Sequence, residues 1–257
     1  MTGNVQSAVS RAGDHPALEA GARLGYAAAG VLHLLLAWVT VQLAWTSGSE
    51  QADQQGALAQ LAGNGVGTAL LWVLLVGFVL LALWQATEAI AWGEVSDRAK
   101  AAAKAVTYGV LAASTVSVLT GGGSGGGSQG ATAGLLGSGA GRVLVGAVGL
   151  GVVGVAGYHV VKGWRERFLR DLAGSPAPWV VRAGRAGYVG KGAALAVVGV
   201  LLVVAAVQAD PEKAQGLDAA LHALASLPFG AVLLTLAAIG FAAYGVYAFG
   251  RARYARV

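Results

Sequence analysis

Six apolar stretches decide what this chain can fold into: Leu24–Trp45, Val66–Trp92, Ala101–Leu119, Val143–Val161, Tyr188–Gln208 and Phe229–Phe249. Each is about the length a helix needs to cross ~30 Å of hydrocarbon. The composition leaves no soluble alternative. Only 11% of the 257 residues are charged, while 56% are hydrophobic and a further 41 are Gly, which is too little polar material to cover a soluble fold. The first stretch follows a polar segment and shows no small-residue cleavage site after a short apolar region, so it reads as a retained span and not a signal peptide. With no Cys in the chain, disulfides, thiol nucleophiles and thiolate metal sites are excluded.

Six spans return the chain to the side from which it started. Of the 17 Lys and Arg residues, all but Arg142 and Lys213 fall on the side of the termini, whereas Glu50, Asp53, Asp210, Glu212 and Asp218 fall on the other. The positive-inside rule therefore predicts that both termini are cytoplasmic. Because the cations are spread over separate juxtamembrane segments, they read as topology signals with attraction for anionic lipid at that face, and not as a nucleic-acid surface.

The chain divides into three units of two spans each, at residues 23–100, 101–181 and 182–257, after an N-terminal segment 1–22. Tyr26, Tyr108 and Tyr188 align. So do Gly30 with Gly192, Gly67 with Gly141 and Gly230, Gly77 with Gly151 and Gly240, and Trp84 with Tyr158 and Tyr247. An even number of spans per unit gives the hairpins the same orientation, so the expected fold is an all-α polytopic bundle of three tandem two-helix hairpins around a pseudo-threefold axis along the membrane normal. With the tandem units, the motifs AlaAspGlnGlnGlyAlaLeu at Ala52–Leu58 and ProPheGly at Pro228–Gly230 make the chain resemble the domain-of-unknown-function 1206 family of bacterial membrane proteins over about Ala22 to Arg253. The resemblance implies the fold and a bacterial plasma membrane; the family has no assigned activity, so it implies no chemistry. Unit two departs most, its outer loop being the Gly/Ser tract Gly121–Gly127, which reads as a flexible connection and lacks the GlyLys(Ser/Thr) ending of a phosphate cradle.

On the side away from the termini, Leu217, Leu221 and Leu224 recur at helical spacing beside Asp218 and His222, as in a short amphipathic helix at the membrane surface that caps the bundle where the chain re-enters it, with a vestibule or partner surface as the alternative. Ala57, Leu58 and Leu61 form a shorter version in unit one, after Asp53, Gln54 and Gln55, and unit two keeps Leu135 and Leu136. Pro228 fits the start of the last span, where a missing N–H costs nothing. Ala147, Gly151 and Gly154, continued by Tyr158, form a small-residue stripe of the kind that packs helices closely, which predicts that the fourth span is packed against several neighbours.

Polar residues within the spans are the candidates for function. His33 lies about 15 Å along the helix from Arg23 and is the deepest titratable group. Its expected state is a neutral imidazole bonded to a neighbouring helix or carbonyl, with a proton-relay or ligand role as the functional alternative. Glu88 shares a face with Gln85 and Trp92, and the repeat alignment places Lys162 and Arg251 at its level, which predicts an acid and two bases forming a salt-bridged or gating ring at the inner mouth. Gln42 and Gln208 are sparse further lining. His33 and His159 could in principle be axial haem ligands, but their depths differ by about 10 Å, a poor match. His15 and His222 have no metal-spaced cluster around them, and no hydrolytic triad is legible. These residues predict a non-enzymatic bundle, without cofactor or metal, that binds or passes a small solute, ion or lipid. The alternative is an accessory or scaffolding subunit with a membrane-protein partner, and a haem protein is a remote third.

Overall fold

The computed structural model describes residues 16–46, 52–62, 65–90, 94–121 and 134–255. His15, Glu50, Trp92, most of the Gly/Ser tract and the side chain of Gln55 lie outside the described residues. In chain order the helices are α1 (Pro16–Trp45), α2 (Gln54–Ala59), α3 (Gly65–Ile90), α4 (Val95–Leu119), α5 (Gly139–Trp164), α6 (Pro178–Gln208), α7 (Leu217–Ala225) and α8 (Gly230–Tyr254), with 3-10 turns at Arg167–Asp171 and Pro211–Ala214. Helices α1, α3, α4, α5, α6 and α8 are long and apolar enough to cross a membrane. Among the described residues the only β feature is an isolated bridge between Leu172 and Ala255.

The long helices outrun their apolar windows, chiefly at the end that carries the termini, because backbone hydrogen bonding continues into the polar turns that hydropathy does not register. Thus α4 starts at Val95 and α6 at Pro178, where proline occupies the first turn and loses no bond there. Helix α5 is capped by Ser138, whose hydroxyl accepts from Gly141 N at 3.0 Å. Pro228 differs from its predicted place: it sits in the turn before α8, whose N-cap is Phe229 at φ 63°. The turn is tight because Gly230 approaches the carbonyl of Ala225, where an added Cβ would lie 2.2 Å from the oxygen. At the two aligned positions the same construction recurs, with a Cβ on Gly67 falling 1.9 Å from Leu61 O and one on Gly141 falling 1.9 Å from Leu135 O. Three glycines that align in sequence thus perform one task in three units.

The long helices pack in the order α4, α3, α1, α8, α6, α5. Hairpins one and three are closed by glycine at their crossing points. Gly77 faces Ala28 and Gly25 across α1/α3, and Gly240 meets the Gly190 backbone across α6/α8. Gly30 against Gly245 joins unit one to unit three, while Gly149 against Gly199 joins α5 to α6. Helices α4 and α5, the two spans of unit two, do not pack on each other. This corrects the expectation for the fourth span: Ala147, Gly151 and Gly154 are exposed, nothing lies within 4 Å of a Cβ built on either glycine, and α5 packs on α6 alone among the long helices. The stripe faces an open seam. The ring is therefore interrupted at one of its six junctions.

In the half away from the termini the interior is apolar and filled. Leu32 and Leu36 of α1, Leu58 of α2, Leu74 and Phe78 of α3, Leu221 of α7, and Leu234 and Phe241 of α8 form one buried cluster. The amphipathic α7 caps the bundle as expected: Leu221 is fully buried, and Asp218 accepts from Ala52 N at 2.6 Å, tying the outer loop of unit three to that of unit one.

Candidate functional site: a cationic, tyrosine-lined recess

Below that apolar core, on the side of the termini, the facing helices carry polar groups. The Nδ1 of His33 stands 2.7 Å from Ala29 O, one turn back on α1. A carbonyl only accepts, so Nδ1 carries the proton and Nε2 keeps its lone pair. The Lys191 ammonium of α6 stands 3.4 Å from that Nε2 and can donate to it. The same ammonium lies 4.3 Å from the ring centre of Tyr244, whose ring is 4.6 Å from the His33 imidazole. Gly187 and Gly190 permit this arrangement: a Cβ on Gly187 would fall 2.5 Å from the Tyr244 backbone, so α8 could not approach a bulkier α6.

From Tyr244 the cluster continues through Tyr188 and Tyr247, at ring separations of 5.3 and 5.8 Å. Phe168, from the 3-10 turn Arg167–Asp171, is fully buried against both Tyr188 and Tyr247. Lys162 of α5 pairs with Asp171 at 2.6 Å and lies 5.1 Å from the Tyr188 ring centre. On the far wall the Arg251 guanidinium sits 4.2 Å from the centre of the Tyr26 ring and donates to its hydroxyl at 3.3 Å, while its Nε is buried without a partner. Lys104 of α4 is an exposed residue near the terminal end of this cluster. His33, Lys104, Tyr108, Lys191, Tyr244 and Arg251 all keep accessible surface.

The charges do not balance. Among the described residues Lys191 and Arg251 form no ion pair, Asp171 is taken by Lys162, and Glu88, on the last turn of α3, is bonded to neither cation. The tyrosine faces stabilise a cation by about 0.5–2 kcal/mol without neutralising it. A cation withdrawn from water with no counter-charge is expensive. The recess is therefore suited to an anion.

Of the residues singled out from the sequence, His33, Lys162 and Arg251 belong to this recess, and His159 borders it with Nδ1 2.8 Å from Val155 O and its ring 5.8 Å from that of Tyr188. The expected ring of one acid and two bases does not form as such. Glu88, in the last turn of α3, is exposed and forms no ion pair with a described residue, although Trp84 and Gln85 one turn earlier on the same face are buried. Lys162 takes Asp171 instead. Gln42 accepts from Gln60 at 2.8 Å, and Gln208 accepts from Lys213; both are at the opposite end. Lys191, Lys104 and Asp171 were not singled out by sequence. Lys191 carried a signal, standing inside an apolar window three residues after the repeat tyrosine Tyr188. Among the described residues no group of three or more His, Cys, Asp or Glu could hold a metal ion.

Comparison with known proteins adds family without chemistry. The family described as Domain of Unknown Function (DUF1206) matches three times, over residues 24–91, 99–166 and 186–255. The chain is 29% identical over 246 residues to the uncharacterized protein YxxB of Bacillus subtilis (strain 168), covering 90% of this chain and 89% of that protein. No solved structure matches. With three tandem matches that coincide with its three helical hairpins, this multi-pass helical membrane protein belongs to the DUF1206 family.

Proposed function

We propose that the chain is a non-enzymatic binding protein of the bacterial plasma membrane, with cytoplasmic termini, whose recess takes a phosphate-bearing anion from the cytoplasmic half of the bilayer. The observation that carries this reading is the pair of cations Lys191 and Arg251, held against Tyr244 and Tyr26 from α6 and α8 without a carboxylate partner among the described residues. The Leu and Phe side chains that fill the opposite half of the interior favour binding over conduction, since an ion path needs polar groups along its whole length. The test is equilibrium binding of phosphate esters to the purified chain in mild detergent, beside Lys191→Gln and Arg251→Gln. Saturable binding that both variants weaken at least tenfold supports the reading; wild-type protein that binds none refutes it.

The accessory-subunit reading draws on a different observation, the lipid-facing breadth of α4 and α5, where Val106, Val110, Val143 and Leu150 are all more than half exposed. A stoichiometric protein partner retained through gentle extraction from native membranes would favour it.

A further inference from the structure

Where α1 meets α6, a histidine and a lysine constrain each other's protons. With Nδ1 of His33 donating to Ala29 O at 2.7 Å, its Nε2 is left as an acceptor, and the Lys191 Nζ stands 3.4 Å from it. One proton lies between these two nitrogens, whichever of them holds it. A further proton on Nε2 would point an N–H at an ammonium and set two cations side by side, and no carboxylate among the described residues is bonded to either. The neighbouring helices supply no such carboxylate. From α8 the Tyr244 ring faces the imidazole at 4.6 Å between centres, with Tyr247 and Arg251 one and two turns further along that helix. Tyr26 stands two turns away on α1 itself and Tyr188 three residues before Lys191 on α6. Helix α3 carries Glu88 alone, in its exposed last turn, α2 carries no titratable group, and α7 brings Asp218 and His222 at the opposite end.

An anion in the recess removes both obstacles. Lys191 has three donors on a flexible four-carbon stem, and among the described residues His33 Nε2 engages one of them while the Tyr244 face, 4.3 Å away, engages the charge. The ammonium is thus free to turn to an anion's oxygens, which releases Nε2 and places negative charge beside it. The recess also holds polar atoms that a ligand would satisfy: Tyr244, Tyr247 and Arg251 share one face of α8 at spacings of three and four, and the hydroxyl of the fully buried Tyr247 and the Nε of Arg251 are without a partner. We infer that the recess takes up one proton with its anion, Lys191 turning from His33 to the anion while His33 Nε2 gains the proton. This rests on the anion-binding reading above and adds the coupling of that site to protons. The new N–H bond forms at Nε2, and a hydronium ion or buffer acid in the solvent loses the proton. The His33–Lys191 pair therefore passes from one positive charge to two as the anion brings its negative charge. His159, whose Nδ1 likewise faces a carbonyl one turn back, has no hydrogen-bonded ammonium among the described residues and so lacks the device.

The experiment is isothermal titration of glycerol phosphate into the full chain in maltoside micelles, in two buffers of unlike ionisation enthalpy, so that the difference between the heats counts the protons drawn from the buffer. At pH ~7.5 the ester is already nearly dianionic, and cations around it favour that form, so a net uptake cannot come from the ligand. The parent is compared with His33→Gln, whose amide can still accept from Lys191, and with His159→Gln. The expected result for the parent is an uptake approaching one proton per bound anion, with an affinity that rises by up to about tenfold for each unit the pH falls, the limit for one linked proton. In His33→Gln the uptake should disappear and the pH slope flatten. Anion binding by the parent with no uptake or with proton release overturns the coupling while leaving the anion site, and so does uptake that survives His33→Gln or that His159→Gln abolishes instead. If glycerol phosphate does not bind the parent at all, both readings fall.

Discussion

Replacing Gly151 by Ala and Gly240 by Ala puts one methyl group at the same repeat position in two units, and the two changes should differ in sign. At Gly240 the new Cβ would lie 2.8 Å from the Cα of Gly190, backbone against backbone, so α6 and α8 must move apart. Overpacking of this kind costs about 1–3 kcal/mol. Part of that is offset by the helix preference of Ala over Gly, about 0.5–1 kcal/mol. At Gly151 nothing lies within 4 Å, so only the preference remains and the variant should be slightly more stable than the parent. The preference is common to both, so the two proteins should differ by the overpacking cost, about 1–3 kcal/mol, which for a chain of this size is about 2–12 °C in melting midpoint. The assay is thermal unfolding in one detergent followed by circular dichroism, with the parent run alongside. A Gly151→Ala protein destabilised as much as Gly240→Ala would mean that α4 and α5 pack together in the membrane, and the open seam would be refuted.

The three turn glycines offer a parallel check: Gly67→Ala, Gly141→Ala and Gly230→Ala should each lower the melting midpoint by similar amounts, because each new methyl meets a carbonyl at about the same distance. Asp218→Ala should cost about 1.5–3 kcal/mol by removing the charged acceptor of Ala52 N, and the loss should appear in hydrogen exchange as earlier opening of residues near Ala52. Ser138→Ala should cost about 1 kcal/mol through loss of the α5 cap, read from the same melts. Outside the spans, Lys213 holds the Asp210 carboxyl below its ordinary range. Its small contribution to stability is present above the unfolded-state value and lost as the pH falls through the folded one. Lys213→Ala should therefore raise the Asp210 titration midpoint seen by NMR.

What the sequence disclosed and what it hid follow from the range of the forces involved. The spans were legible because burial in hydrocarbon acts on every residue of a window, and the repeats because a turn that needs Gly at Gly67 needs it again at Gly141 and Gly230. His33 could be placed by counting helix rise. The recess was not legible because its members come from different units: His33 meets Lys191 across α1 and α6, and Arg251 meets Tyr26 across α8 and α1. Charge counting assigned Lys191 to topology, which accounted for it without asking what it faced. The stripe on α5 was misread for a related reason. A run of small residues announces that something can come close, and only the neighbouring helices reveal that in unit two no helix does. Asp171 escaped notice among the arginines of its loop until the 3-10 turn brought it to Lys162.

The interrupted ring also gives the molecule a seam of division. Helices α1, α3 and α4 form one continuous trio and α5, α6 and α8 another, joined chiefly at the α1/α8 interface where Gly30 meets Gly245, with His33 of α1 and Lys191 of α6 in contact beside it. This interface works as the spine of a book whose covers are α4 and α5. A chain interrupted between residues 121 and 134 would separate into two pieces that each keep their own internal packing. Made together in one membrane, the halves should find each other again through the spine, so a covalent link between them is dispensable for assembly.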